Sequence, residues 1–598
     1  MEELGVSGPL AQVLVRRGHR EPAGARAFLE GRESHPPQAF AGIADAVEPI
    51  LRHVRSGALI TIHGDYDVDG VCSTAVLVRA LGALGASVDH YLPDRAADGY
   101  GLGSDTVRRL AARGTRLLIT VDCAITAVEE VEEALALGLE VVVTDHHAPR
   151  ADGRLPRAPI VHPALCGYPC AELCATAVAH KLAEAVLDAA AVDGALDGVL
   201  LERARAQLAQ DLDLVALATV ADVVALVGEN RSLVRRGLRA LGASSKPGLR
   251  ALMSVARVDP SRVDERAVGF GLAPRLNAAG RLYRADAGLE LILTEDSLRA
   301  AQIAQELDSA NSERRKVEQG IRFEAEAQMS ALGQRDAYVL AGEGWHPGVI
   351  GIVASRLVEL SRRPVVMVAL DGATGRGSGR SIEAFDLLAG LTACSEHLTR
   401  YGGHRAAAGL EIERSRLDAF AEALAAHAGS VLAPSDLVPV ERVDAVVGGA
   451  ELGMTLAEEL QALAPFGRGN PGVSLMVSDA TFADARPMGE GKHVRFTVES
   501  GGARARAVAF GTGGRLPVPD GEPAQATFTL EVNEWNGVSE PRLVLRRAQA
   551  PAAQPLAPSP AALEPLPQAQ DAPQTVEDSE REAPAEPRET AAGELVLF

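Results

Sequence analysis

The sequence lacks an excess of positive charge. Its 59 lysines and arginines stand against 80 acids, for a formal net charge of −21. That excludes a protein that coats nucleic acid through bulk electrostatics, and leaves room only for a local channel of clustered arginines. Six cysteines in 598 residues rule out a disulfide framework. No apolar run reaches the roughly 20 residues of a membrane span. The first thirty residues, from MEELGVSGPL, hold no signal-peptide core. These absences predict a cytoplasmic protein with no membrane partner. Hydrophobic residues make up 47%, enough for several domains with sizeable cores.

The stretch Ala58 to Gly70, ALITIHGDYDVDG, carries the densest chemistry. Its apolar start predicts a buried strand over 58–62, which ends in His63, Asp65, Asp67 and Asp69. Carboxylates at alternate positions repel one another, and a core tolerates them only when they are paired. A divalent metal beside His63 accounts for them. An Asp-rich turn capping a helix that begins near Val71 is the alternative. The run also copies the start of an EF-hand loop, but the twelfth position is Val76 rather than Glu and a strand precedes it, so calcium is rejected. The grouping that remains is His63-x-x-x-Asp67-x-Asp69 at the carboxyl end of a strand, where open α/β sheets place ligands. Asp65 lies off that spacing and is expected behind the ligands, holding His63 or the loop backbone.

From Ala46 the text alternates strands (58–62, 87–92, 116–121, 140–144, 159–161) with helical patterns (71–84, 104–113, 126–137), which suits a parallel sheet. Further strand ends hold Val121-Asp122-Cys123 and Thr144-Asp145-His146-His147. Asp222 lies in the apolar run ATVADVVAL, where it needs a partner. His63, Asp67, Asp69, Asp122, His146 and Asp222 are therefore candidate ligands. Hard carboxylates with imidazoles and no thiolate suit Mn2+ or Mg2+. Two ions about 3.5–4 Å apart, sharing one Asp, would serve an in-line displacement at phosphorus.

In this order, HGDYDVDG, VDC, DHH and VADVV resemble the motifs of the DHH phosphoesterase superfamily. From about residue 10 to 548 the chain is similar to its RecJ family of single-strand-specific exonucleases. The resemblance implies that Asp67 and Asp69 hold separate ions, that Asp122 bridges them, and that His146 and Asp222 are further ligands. His63 joins them through the HxxxDxD spacing. His147 is implied to orient substrate or act as an acid, so Asp122, His146 and His147 form the catalytic set. Two departures stand out. Ala124 replaces the Gly that usually follows VDC, and 161–182 lacks the family's Asn-Pro pattern. In that segment His162, Cys166, Cys170 and Cys174 fall four apart, a spacing of no zinc or cluster site, and read as small packing residues.

The rest of the chain divides by composition. Residues 1–45 form an N-terminal segment whose Arg16, Arg17, His19 and Arg20 read as a solvated helix face or as a rim for an anion. A DHH catalytic domain spans 46–288. Its GFGLAPRLNAAGR run, Gly269 to Arg281, reads as a loop or broken helix. There Arg275, Asn277 and Arg281 offer donors to phosphate, and the resemblance gives them the terminal nucleotide. An arginine salt-bridge network is the alternative. Leu289 to Glu324 reads as one long charged helix within a connecting segment, 289–334. A second α/β domain, 335–432, holds GRGSGRS at 375–381, a Gly-rich loop without the Walker Lys pattern, in which amides and arginines could meet an anion. With the later YGGH it resembles the DHH-associated domain, which implies substrate contacts from Arg376, Ser378, Arg380, Gly402, Gly403 and His404.

Six short alternating runs over 437–549 predict a small barrel. PFGRGNP, Pro465 to Pro471, resembles the segment that opens the family's OB-fold. Phe466, Arg468, Lys492, Arg495 and Trp535 are candidates for a single strand, with barrel core as the alternative for the two aromatics. The tail, 550–598, is rich in Pro, Ala, Glu and Gln and predicts disorder. From Pro551 it carries nine acids and two arginines, a charge of −7. Its Glu594-Leu595-Val596-Leu597-Phe598 resembles the peptide by which bacterial repair proteins grip a sliding clamp, with Glu594 in place of the usual Gln and Leu595, Leu597 and Phe598 as anchors. A chance hydrophobic terminus is the alternative.

The expected fold class is α/β: DHH catalytic and DHH-associated domains joined by a long helix, plus an OB-fold β-barrel and a disordered tail. The residues alone imply metal-assisted phosphodiester hydrolysis with two Mn2+ or Mg2+ ions. The resemblance adds a single-stranded-DNA-specific 5′-to-3′ exonuclease that releases 5′-mononucleotides in DNA recombination and repair. It implies single-stranded DNA, a sliding clamp, single-strand-binding protein and a RecQ-type helicase as partners. The barrel disfavours a small-molecule phosphoesterase. The intact ligand positions disfavour a non-catalytic scaffold.

Overall fold

The computed structural model describes residues 2–93, 101–194, 197–282, 284, 286–438, 440–535 and 537–551. They fall into two compact units, one of 35–224 and 236–438, the other of 2–34, 225–235 and 440–551. Among the described residues no helix is long and apolar enough to cross a membrane.

The first unit opens with five parallel strands: β1 (Ile60–His63), β2 (Val88–Tyr91), β3 (Leu117–Thr120), β4 (Glu140–Thr144) and β5 (Ile160–Val161), in spatial order β2-β1-β3-β4-β5. β1 and β3 bury every residue, as central strands covered on both faces must. The chain leaves β1 toward β2 on one side and later adds β3 on the other. The loops after β1 and β3 therefore diverge at the switch point of the sheet, where such folds bind ligands.

A helix expected over Leu289 to Glu324 is two helices, Ala287–Leu293 and Ser297–Leu332. The break is local chemistry. Asp296 turns its carboxylate onto the backbone N–H groups of Leu298 and Arg299 and starts the second helix as its N-cap.

Beyond it lies the second sheet of this unit: β6 (Tyr338–Glu343), β7 (Val365–Asp371), β8 (Thr374–Arg380), β9 (Arg400–Gly403) and β10 (Ala407–Glu413), in order β6-β7-β8-β10-β9. The glycine-rich run expected as a loop is β8. A Cβ on Gly375, Gly377 or Gly379 would come within 2.8 Å of Val368, Leu410 or Leu387 side chains. Glycine thus occupies the core-facing positions of a strand with no room for side chains. Arg376, Ser378 and Arg380 alternate onto the opposite face.

In the other unit, β12 (Leu475–Met488), β13 (His493–Ser500), β14 (Ala503–Ala509), β16 (Val538–Gln549) and β15 (Pro523–Trp535) pair in that order. A β12–β15 pairing closes the five-stranded barrel, and the short β11 (Ala445–Val446) adds to β12. The six expected runs are these six strands. Of the basic run at 16–20, Arg17 and His19 are engaged within their unit, while Arg20 is exposed. Arg17 donates to Asn470 Oδ1 at 2.6 Å and to Pro471 O at 2.7 Å beside Asp444, and His19 stacks on Phe28.

Candidate active site

The chain leaves β1 through a tight loop into the helix Val68–Ala83. A Cβ on Gly70 would sit 2.5 Å from the Asp65 backbone, so only glycine lets the first helical turn fold back on that loop. Asp67 is the N-cap and accepts the N–H groups of Asp69 and Gly70 at 2.9 and 3.0 Å. Asp69, 1% exposed, receives Ala175 N at 2.7 Å, Thr176 N at 2.8 Å and Thr176 Oγ1 at 2.6 Å. These are the first residues of the helix Ala175–Asp193. A helix N-terminus thus stabilises the Asp69 carboxylate.

After β3 the chain turns through Asp122 (φ +61) and Ala124 (φ +80), both in the left-handed region. Asp tolerates that region well and alanine poorly, so Ala124 carries strain of about 1 kcal/mol relative to glycine. The turn throws the Asp122 carboxylate into the interior at 2% exposure. Burial first, then the charges of Asp69, Asp67, Asp65 and Asp222, push its pKa well up.

After β4, Asp145 gathers the loop. It accepts His146 N at 2.7 Å, His147 N at 3.0 Å, His147 Nδ1 at 2.8 Å and, across the sheet, Ile125 N at 2.9 Å. Burial pushes Asp145 up, but the His147 bond and charge, with the backbone N–H groups, outweigh it and hold the carboxyl down at about 2. Burial pulls His147 down, but the Asp145 bond and charge outweigh it and keep the imidazole at about 9. One layer further out, His162 Nδ1 accepts the N–H groups of Ala164 and Leu165, so its proton sits on Nε2 and is donated to His147 O at 2.8 Å.

Three groups of potential metal ligands result, each with ligand atoms within 4.8 Å of one another: Asp122, His146 and His147; Asp69, His146 and Asp222; Asp65, Asp67 and Asp122. His146 Nε2 lies 3.2 Å from Asp122 Oδ1, 3.8 Å from Asp69 Oδ2 and 3.9 Å from Asp222 Oδ2. It is buried and makes no hydrogen bond. Burial lowers its pKa, which favours the neutral, ligating imidazole. A buried imidazole nitrogen facing three carboxylates without a bond fits hard divalent cations in both charge and chemistry.

The structure brings together Asp67, Asp69, Asp122, His146 and Asp222. Asp222 is not sunk in its apolar run; it ends the helix Leu212–Ala221 with its side chain 32% exposed. Asp65 is not behind the ligands, since it joins Asp67 and Asp122. His63 enters none of the three groups. Its ring stacks on Tyr91 and its Nδ1 lies 3.6 Å from Cys123 Sγ. Cys166 and Cys174 bond to Ile160 O and Thr219 Oγ1, and the described residues show no metal group at His162, Cys166, Cys170 and Cys174.

The GFGLAPRLNAAGR run is a π-helical turn, Ala267–Leu272, continuing into the helix Ala273–Leu282. Arg275 is committed to Asp308 and to Gly271 O, so the salt-bridge alternative holds for it. Asn277 Oδ1 accepts Val68 N. The Arg281 side chain lies outside the described residues.

On the second sheet, Arg380 donates to Ser378 Oγ and Gly379 O. The pair sits under Gly351, in the second turn of the helix Pro347–Ser361, where a Cβ would be 2.8 Å from Ser378 Oγ and 3.0 Å from Arg380 Nη2. Arg376 is exposed. Register aligns Ser378 with Gly409 and Gly409 with Gly402, which leaves a strip without bulky side chains. Gly403, at φ +140, has no room for a Cβ against Ala407 O and Ala408, and His404 is exposed rather than in the core.

On the barrel, Phe466 packs against the core. Arg468, itself exposed, accepts Leu226 N through its carbonyl at 2.7 Å. The PFGRGNP turn is thus a fastening within its unit, and its Asn470 is 2% exposed. Lys492 and Arg495 are exposed. The Trp535 side chain, and Leu595, Leu597 and Phe598, lie outside the described residues.

Asp145, Thr176 and His162 were not singled out from the sequence as parts of the site. Only Asp145 had a signal there, as the first letter of DHH.

Comparison with known proteins gives a consistent picture. The DHH family N-terminal domain matches residues 59–219, the DHHA1 domain 334–429 and the RecJ OB domain 443–547. The single-stranded-DNA-specific exonuclease RecJ of Bacillus subtilis is 37% identical over 559 residues, covering 92% of this chain and 68% of the relative. That of Escherichia coli is 36% identical, covering 84% and 89%. The crystal structure of RecJ from Thermus thermophilus in complex with Mn2+ superposes with a TM-score of 0.79 at 32% identity, covering 92% of this chain and 77% of that one. Its Mg2+ complex superposes at 0.73 and 30%, covering 92% and 76%.

Proposed function

The chain belongs to the RecJ family of single-stranded-DNA-specific exonucleases, and from that premise we propose how its residues divide the work. It is a metal-dependent nuclease of single-stranded DNA, and its cofactor is Mn2+ or Mg2+. The observation that carries the site assignment is the convergence of four further acids, Asp65, Asp67, Asp69 and Asp222, on Asp122 and His146.

Asp65, Asp67 and Asp122 would hold one ion. Asp69, His146 and Asp222 would hold the other, with Asp122 within reach of both. When bound, the ions supply the positive charge that activates a water and offsets charge developing at phosphorus. The protein's own groups do the rest. Asp145 takes Nδ1–H of His147, which fixes the ring and leaves Nε2 to serve the substrate. Arg380 and Ser378, beneath the start of a helix, grip a terminal phosphate. The bare strip along Gly402 and Gly409 passes the backbone, flanked by Arg376 and His404.

The barrel offers a grip of its own for a single strand. Past a bulge, Arg486 pairs with Arg495 and Met488 with His493 on one face of a ribbon, and Phe510, half exposed, sets its ring against His493 at 5.3 Å. Two arginines side by side repel unless an anion joins them. An adjoining aromatic supplies a stacking surface.

The family reading adds a 5′ start, release of 5′-mononucleotides, a cytoplasmic location, and work in recombination and in mismatch and base-excision repair. The direct test is digestion of end-labelled single strands with and without Mn2+, set against a dinucleotide. Label should leave the 5′ end first, and long strands should be preferred. Loss of the 3′ label first, or preference for the dinucleotide, would sink the reading.

The same reading gives the tail to a sliding clamp, with single-strand-binding protein and a RecQ-type helicase as further partners. Deleting 595–598 should weaken clamp binding at least about tenfold and leave cleavage unchanged. An unaltered clamp affinity removes the tail from the interface.

A further inference from the structure

The helix Ala273–Leu282 touches the helix that follows the metal-side loop and the long helix Ser297–Leu332 at once. On the first side, Asn277 Oδ1 accepts Val68 N at 3.1 Å. Val68 opens its helix, so its N–H is one of the four that no carbonyl of that helix can satisfy. Asp67 meets the next two N–H groups, and Asn277 meets the one between ligands Asp67 and Asp69 from far along the chain. A Cβ on Gly280 would come within 2.8 Å of Tyr66 O, so a later turn of the same helix presses on the same loop. On the second side, Arg275, 8% exposed, holds Asp308 of the long helix at 2.8 Å.

The choice of residue is informative. Asp65, Asp67, Asp69 and Asp122 already crowd this place with like charge. An amide oxygen accepts the Val68 N–H without adding another acid. Asp67 is aimed in part by the N–H groups of its own helix, and the Asn277 bond adds a hold on the same turn from outside.

We propose that the helix Ala273–Leu282 is a strut: Asn277 is a positioning residue that sets the carboxylates of the 65–69 loop for metal binding, and the Arg275–Asp308 pair anchors the strut to the long helix. The inference rests on the two-ion reading above. Metal affinity then depends on Asp308, a partly exposed residue that touches no ligand. If Asn277 instead grips the terminal nucleotide, its loss changes the affinity for DNA and not for metal.

The test uses the full chain as wild type, N277A, N277D and D308A. Mn2+ affinity is measured by titration calorimetry, KM for a 5′-phosphorylated single strand at saturating Mn2+, and folding by thermal melting. N277A and D308A should each bind Mn2+ about tenfold more weakly, with KM within about threefold of wild type. N277D keeps the acceptor and should bind Mn2+ at least as well as wild type. Unchanged Mn2+ affinity in N277A, with a raised KM, overturns the proposal in favour of a nucleotide grip. Unchanged affinity in D308A overturns the anchoring. If N277A does not fold, D308A and N277D decide alone. A wild-type chain that binds no Mn2+ would fail the two-ion reading itself, a separate outcome.

Discussion

Replacing Asp122 with alanine or asparagine is expected to lower the rate of single-strand hydrolysis at least about a thousandfold, while the affinity for a single strand stays within a few fold. The expected loss exceeds the 10–100-fold typical of a residue one layer behind a metal, because Asp122 is common to two of the three ligand groups. Its removal strips a ligand from both ions. Strand binding should survive because the grip lies elsewhere, on Arg380, Ser378 and the barrel. D122N keeps the shape and removes the charge, so it separates a metal defect from a packing defect. The metal-free D122N protein should melt no lower than metal-free wild type, since four neighbouring carboxylates oppose the Asp122 charge. Added Mn2+ should then raise the melting temperature of wild type much more than that of the variant. Nuclease activity above a tenth of wild type in either variant would refute the assignment of Asp122.

The metal site was legible in the sequence because acids stood at the ends of runs that could only be buried strands. Asp67, Asp69 and Asp122 needed no more than that. Asp65 joins Asp67 and Asp122 although it lies off the HxxxDxD spacing, because spacing ignores the path of the loop. Gly70 folds the first helical turn onto Asp65, which turns that residue toward Asp67. The run GRGSGRS was misread for a similar reason. Its period of two was visible, but glycine content argues for a loop, and only the positions of Val368, Leu410 and Leu387 explain why a strand should carry glycine on its buried face. The bonds made by Asp145, His162 and Asn277 join segments far apart or fix a tautomer, so no local pattern announces them. The barrel was legible as six strands. The PFGRGNP turn was not, since its contacts with 225–235 are long-range.

Replacing Arg231 with methionine is expected to destabilise the barrel-containing unit by about 3 kcal/mol. Arg231 is 1% exposed and donates to Phe28 O at 2.6 Å, Ala462 O at 3.1 Å, Leu463 O at 3.2 Å and Ala464 O at 3.0 Å, with its guanidinium over the Phe28 ring. These carbonyls lie at or just beyond the C-terminal ends of the helices Pro22–Glu30 and Met454–Gln461, where a cation is favoured. The charge is not free of cost. Burial first, then Arg235 and Arg17, bring its pKa to about 10, and a shift of that size corresponds to about 3 kcal/mol. Methionine would relieve that cost and fill most of the volume. It would also leave Phe28 O, Ala462 O and Ala464 O without that donor, at about 1–3 kcal/mol each, while Leu463 O keeps Asn470 Nδ2 at 2.8 Å; the middle of that range exceeds the relief by about 3 kcal/mol. Lysine keeps the charge but cannot fork across four oxygens, so R231K should fall between wild type and R231M. For a unit of this size the loss in R231M corresponds to a melting point lower by about 8 °C. Melting within about 1 °C of wild type would show that the carbonyls find other donors, and that the buried charge is a burden the fold carries without return.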